Sequence, residues 1–229
     1  MNELSNNFIY TALGDDLSSL LPSFIFYGFP YRICRYFKQN NFKVEFHNFA
    51  KPKFTSNDLF FQLRSNFEIR QQIKKSNVLT LSIGANNLLL GVNETYTDIN
   101  GKSVKKSIES FKEDWNFILY FIRNCIGSKA TIYIMTIYNP FNTKDPNFTV
   151  ADYYIQLANS IIKDEFWIKT YDYKIVDVYE SFKFSSKNNF TFFETYLREP
   201  YPTFTGNKII AEEFISQIKS QIISPSFFS

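Results

Sequence analysis

Short apolar runs rich in β-branched residues alternate along this chain with longer segments whose apolar positions recur three and four residues apart. The short runs predict strands at Phe8–Leu13, Lys43–Phe49, Val78–Ile83, Thr131–Ile137 and Lys174–Val178. The third and fourth read as buried central strands; the second alternates less cleanly. The longer segments predict helices at Phe29–Asn40, Ser56–Lys74, Val104–Cys125, Val150–Ile162 and Thr205–Ile222. The last carries an apolar stripe at Ile209, Ile210, Phe214, Ile218 and Ile222. Ser103 is the expected cap of the long central helix. Gly91 to Lys102 reads as a surface loop, and Phe182 to Pro200 as a long irregular stretch with Lys187-Asn188-Asn189 at a turn.

Strand–helix alternation over 229 residues argues for one α/β domain spanning 1–229, with a mostly parallel sheet and helices on both faces. In such a sheet the ligand crevice lies beyond the carboxyl ends of the strands. Asp16, Lys53 and Asn86 fall in loops of that kind. Arg198 and Tyr201, just before the last helix, close the same rim.

Composition narrows the function. The formal net charge is +3 with both signs mixed throughout, so no basic stripe marks a nucleic-acid surface. The 27 Phe and 15 Tyr accompany abundant Asn, Lys and Ile, all residues with AT-rich codons, which accounts for them without an aromatic-binding role. Cys34 and Cys125 are expected as free buried thiols. Cys/His ligand spacing is absent, so neither a metal nor another cofactor is expected. No apolar run is long enough to span a bilayer, and Met1 to Asn7 lacks the charged and apolar regions of a signal peptide. A cytoplasmic location follows as the expectation. The Asn-x-Thr triplets at Asn93, Asn147 and Asn189 carry little weight in an Asn-rich chain. The one histidine, His47, reads as a half-buried strand residue.

Gly14-Asp15-Asp16-Leu17, directly after the first strand, resembles the Gly-Asp-Ser-Leu block of the SGNH (GDSL) hydrolases, with Asp16 at the serine position. Asn48-Phe49-Ala50-Lys51-Pro52-Lys53 resembles the second block, with Lys53 in place of its second glycine. Gly84-Ala85-Asn86-Asn87 resembles the third block and keeps the asparagine at Asn86. Ile137-Tyr138-Asn139-Pro140-Phe141 is similar to a segment of the lipase-like Firmicute branch, which points to a bacterial chain. In Arg198-Glu199-Pro200-Tyr201-Pro202, the second proline and Gly206 fix the register of the last block. Arg198 then stands for its aspartate and Tyr201 for its histidine.

The resemblance implies a flavodoxin-like three-layer α/β/α sandwich on a five-stranded sheet. It implies retained family positions at Gly14, Asp15, Gly84 and Asn86, and replaced ones at Asp16, Lys53, Arg198 and Tyr201. Serine, histidine and aspartate supply nucleophile, base and orienting acid in this chemistry. A carboxylate is a poor acyl nucleophile, and a phenol titrating near 10 is a poor base at neutral pH. The expected protein is therefore catalytically inactive, with a structural, assembly or ligand-binding role. Self-association, or a small anionic or carbohydrate ligand held beside Lys53 and Arg198, are its expected partnerships. The alternative is a rewired ester or acyl hydrolase using Asp15 and Asp16 as bases and Asn86 as oxyanion donor. Simpler roles compete at single positions: helix cap for Asp16, loop-closing ion pair for Arg198, space-filler for Tyr201.

Overall fold

A computed structural model describes residues 7–19, 28–183, 190–192 and 199–222. Five strands form one parallel sheet in the order β2-β1-β3-β4-β5, where β1 is Asn7–Gly14, β2 Lys43–Asn48, β3 Val78–Ser82, β4 Thr131–Met135 and β5 Tyr173–Val176. Every pairing is parallel, so each crossover must carry helix over a face of the sheet. The strands read as near-continuous apolar runs because both faces are covered.

Side-chain alternation sorts the strand residues into two cores. Leu79, Leu81, Ile132 and Ile134 point into one, against α3 (Ser56–Ser65), α4 (Phe67–Lys75), α6 (Gly101–Tyr120) and α7 (Phe148–Ile162). Val78, Tyr133, Met135 and Val176 point into the other, against α2 (Phe29–Gln39), α9 (Val178–Lys183) and α10 (Phe204–Ile222). Trp115 anchors the first core, fully buried beside Phe111 with ring centroids 5.4 Å apart. In the second, Phe29 of α2 stacks on Phe214 of α10 at 4.8 Å. The remaining short helices are α1 (Asp16–Ser19), α5 (Ala85–Leu89) and α8 (Glu165–Tyr171).

Several boundaries differ from the sequence reading. The helix expected over Ser56–Lys74 is two helices. Asn66 takes an extended backbone, and its side chain accepts the Ile69 N–H, capping α4. The long central helix starts earlier: Asn100 is its cap, accepting the Ser103 N–H, so Ser103 is the capped residue rather than the cap. Past Tyr120 that helix widens into a π turn over Phe121–Cys125. Ile126 takes the inward position, leaving Cys125 exposed instead of buried; Cys34 is buried, and both are free thiols. Val178 begins α9 rather than ending β5. The expected surface loop at Gly91 to Lys102 folds back on itself through a Val92–Ile99 bridge, and its last two residues belong to α6. Lys187-Asn188-Asn189 and Arg198 lie outside the described residues. His47 sits part-buried on β2 with its ring 2.8 Å from Glu45 Oε1, as a strand histidine would.

Candidate functional site

The site is built where β1 and β3 end side by side. Gly14 has φ +135°, and a Cβ placed there would sit 1.9 Å from the Ser82 carbonyl oxygen. Only glycine lets the two strands stay this close. The Asp15 N–H donates to that same carbonyl at 3.0 Å, and the chain then turns into α1.

Asp15 and Asp16 diverge from this point. Asp15 is buried under the turn. Its Oδ1 accepts from the Leu17 N–H at 3.2 Å and from Ser82 Oγ at 3.3 Å, while its Oδ2 has no hydrogen-bond partner among the described residues. Burial first, and the adjacent Asp16 second, push its carboxyl up to about 8. The capping role expected of Asp16 thus belongs to Asp15.

Asp16 instead turns across the rim. Its Oδ2 accepts the Lys53 main-chain N–H at 2.8 Å and Asn86 Nδ2 at 2.7 Å, and its Oδ1 accepts the Tyr201 hydroxyl at 3.3 Å. Each of these donors comes from a different loop. Lys53 adopts φ +64°, a left-handed conformation that suits glycine, and this aims its N–H inward while its side chain stays exposed. Lys53 makes no ion pair among the described residues, so position 53 acts through its main chain. The second-block loop is strapped along β1 by Phe49 N to Ala12 O at 2.9 Å and Lys51 N to Gly14 O at 3.1 Å. Asn86 opens α5 behind Gly84, whose φ is +112° and whose Cβ would come within 2.8 Å of Phe111. Asn86 Nδ2 also donates to Phe54 O at 3.0 Å, which fixes the amide.

Tyr201 stands half-buried at the head of α10, and burial together with Asp16 raises its phenol. Asp16, Lys53, Asn86 and Tyr201 are therefore brought together, with Gly14, Asp15 and Gly84 forming the turns that hold them.

Beside this cluster opens a cavity of about 100 Å³. Its walls are overwhelmingly apolar and include Leu88, Val92, Ile99, Ile137, Ala151 and Ile155. Asp15, Asp16 and Tyr201 stand at its polar end. Two further tyrosines belong to it that the sequence did not single out for function. Tyr138 donates to Pro200 O at 2.7 Å, and Tyr96 hydrogen-bonds Glu199. Tyr138 lies in the lipase-like segment Ile137-Tyr138-Asn139-Pro140-Phe141; Tyr96 sits in the loop read as surface, where nothing in the sequence marks it. Among the described residues no group of three or more His, Cys, Asp or Glu could hold a metal ion, and no helix is long and apolar enough to cross a membrane.

No family model matches the chain. The chain is 31% identical over 180 residues to the spore germination lipase LipC of Bacillus licheniformis, covering 76% of this chain and 81% of that protein. Among solved structures it is similar to the lipase Lip_vut3 from a goat rumen metagenome, with a TM-score of 0.74 and 26% identity over 91% of this chain and 96% of that one. The acetylxylan esterase Axe2 from Geobacillus stearothermophilus shares the fold, with a TM-score of 0.66 and 16% identity over 92% of this chain and 94% of that one. So does a lipase/acylhydrolase from Enterococcus faecalis, with a TM-score of 0.61 and 15% identity over 93% and 96%.

Proposed function

The chain belongs to the SGNH (GDSL) lipase/acylhydrolase family, and from that premise we propose that it is a member without ester hydrolysis, its reaction centre closed by Asp16 and its adjoining cavity used to bind a ligand. One observation carries this reading. The Lys53 N–H and Asn86 Nδ2 occupy the positions whose donors the family directs at the substrate's developing oxyanion. Here both donate to Asp16 Oδ2, at 2.8 and 2.7 Å, the distances an oxyanion would take. The carboxylate stands in for the transition-state oxygen, so these two donors are not available to an acyl group. The residue facing it, Tyr201, is a phenol raised above its ordinary value, which cannot serve as a base at neutral pH.

A second reading keeps hydrolysis. It is favoured by the lipase and esterase names of the relatives and by Asp15, whose carboxyl at about 8 is poised for proton transfer near neutral pH. Against it stands the position of Asp15, buried under the turn.

Assays with p-nitrophenyl acetate and butyrate separate the two. The non-hydrolytic reading expects no more than the residual ~10³–10⁴ over water that a binding site retains without its triad. Turnover well above that, lost in Asn86→Ala, refutes it.

A further inference from the structure

One face of the outer helix layer lacks the charges usual on a solvated helix. The exposed positions of α6 up to Glu113 include Lys105, Lys106, Glu109 and Lys112. From there to Cys125 they are Phe117, Tyr120, Asn124 and Cys125, none of them charged. Aromatic rings continue this face on both sides. Toward α3, Phe117 stacks on Phe60 with ring centroids 5.5 Å apart, and Phe61 follows Phe60 on the same helix. Toward α8, the Tyr171 hydroxyl donates to Asn116 Oδ1 at 2.7 Å. Trp167 stacks on Tyr171 at 5.9 Å, and Phe166 meets Trp167 edge-on at 4.7 Å. The result is one aromatic ridge across α3, α6 and α8.

Phe61, Phe117, Tyr120 and Phe166 are 69%, 49%, 50% and 63% exposed. At ~150–250 Å² for a whole aromatic side chain, they leave roughly 350–600 Å² of side-chain surface in water. That is roughly half of the ~800 Å² per partner that a standard interface buries. A centre rich in rings and poor in charge is the anatomy of an interface core.

The charges at the two ends select the occupant. At the α3 end Arg64 is exposed, its guanidinium 5.5 Å from the Phe60 ring centroid. At the α8 end Asp164 and Glu165 are exposed, and a surface pair with Lys169 holds Glu165 only weakly. A two-fold axis through α6, between Phe117 and Tyr120, lays the α3 end of each copy on the α8 end of the other. Rings then cover rings, and Arg64 of one copy meets Asp164 and Glu165 of the other. A lipid surface fits less well. Anionic headgroups call for cations around the rings, and the α8 end presents acid.

We infer that this ridge is the interface of a two-fold homodimer. Such a dimer is independent of whether the site at Asp16 hydrolyses esters.

Sedimentation velocity of the full chain tests it from about 1 to about 200 µM, the range in which a micromolar dimer titrates. The parent should shift from monomer toward dimer across that range. Phe117→Glu and Tyr120→Glu, both at half-exposed positions, should each weaken association at least about tenfold with an unchanged circular dichroism spectrum. Arg64→Glu should also weaken it, and Arg64→Glu with Glu165→Arg should restore it. A parent that stays monomeric throughout overturns the dimer; if that monomer binds vesicles of phosphatidylcholine and phosphatidylglycerol and Phe117→Glu does not, the ridge belongs to lipid. Dimers that survive in folded Phe117→Glu and Tyr120→Glu proteins overturn the assignment of this face. A double charge reversal that fails to restore association overturns the two-fold pairing.

Discussion

Asp16→Ala is the sharpest perturbation of this site. It removes a nearly buried carboxylate that accepts from the Lys53 N–H at 2.8 Å, Asn86 Nδ2 at 2.7 Å and the Tyr201 hydroxyl at 3.3 Å. Leaving a buried donor unsatisfied costs about 1–3 kcal/mol, and bonds to a charged acceptor lie toward the upper end. Two features moderate the sum here. Asn86 Nδ2 keeps its second bond to Phe54 O, and the Tyr201 bond is long. The net loss should be about 1–2 kcal/mol, which for a chain of this size lowers the melting midpoint by roughly 2–8 °C. Thermal melts by circular dichroism, parent against variant, read it directly. Asp16→Asn, which keeps the shape and one acceptor oxygen, should recover part of the loss. An unchanged midpoint in Asp16→Ala refutes a stabilising role for these three contacts and leaves Asp16 as a solvated side chain of no structural consequence.

Asp15→Asn should alter the pH dependence of stability. The folded-state carboxyl is raised from 3.8 to about 8, so its contribution is fully present below pH 4 and is lost as pH rises toward and through 8. The variant should gain on the parent across that window in melts taken from pH 4 to 9, and a constant offset would contradict the assignment. Gly14→Ala places a Cβ 1.9 Å from Ser82 O and at φ +135°, forcing β1 from β3, and should cost about 3 kcal/mol or more in urea denaturation. Asp16→Ser alone should remain inactive on p-nitrophenyl acetate for want of a base. Asp16→Ser with Arg198→Asp and Tyr201→His is the smallest set from which esterase activity should emerge, and activity in the single variant would show that another base is present.

The sheet was legible because its strands are buried on both faces. Val78 to Ser82 and Thr131 to Met135 are short runs buried along almost their whole length, and parallel order follows once helices separate them. The breaks were harder, since local signals conflict there. Asn66 is a good cap, yet apolar periodicity runs on through it from Leu63 to Ile69, so spacing alone joins α3 to α4. Val178 is a strand former that starts a helix because the chain must leave the sheet after Val176. At the site, block order located Asp16, Asn86 and Tyr201 and brought them to one crevice. Which of the two aspartates would cap and which would reach across could not be read from the turn alone. The choice is made by donors 37, 70 and 185 residues away. The cavity was less legible still, because Val92, Tyr96 and Ile99 enter it only when their loop closes on itself.

The replacements at this rim form a consistent set under the non-hydrolytic reading. A carboxylate at position 16 reaches the two donors that a serine hydroxyl, one bond shorter, would leave for a substrate. Once it does so, an imidazole opposite would be drawn into its charged form by the adjacent negative charge. A phenol supplies an O–H to the same carboxylate with no charge to stabilise. Position 53 needs only a correctly aimed main-chain N–H, so lysine can hold the left-handed turn at a cost of about 1–2 kcal/mol in backbone strain. Asn86 keeps its amide for the same reason: its Nδ2 still has an oxygen to serve, now the protein's own. Under that reading the donors of an oxyanion hole are kept because, through Asp16, they hold the segments around Lys53, Asn86 and Tyr201 together.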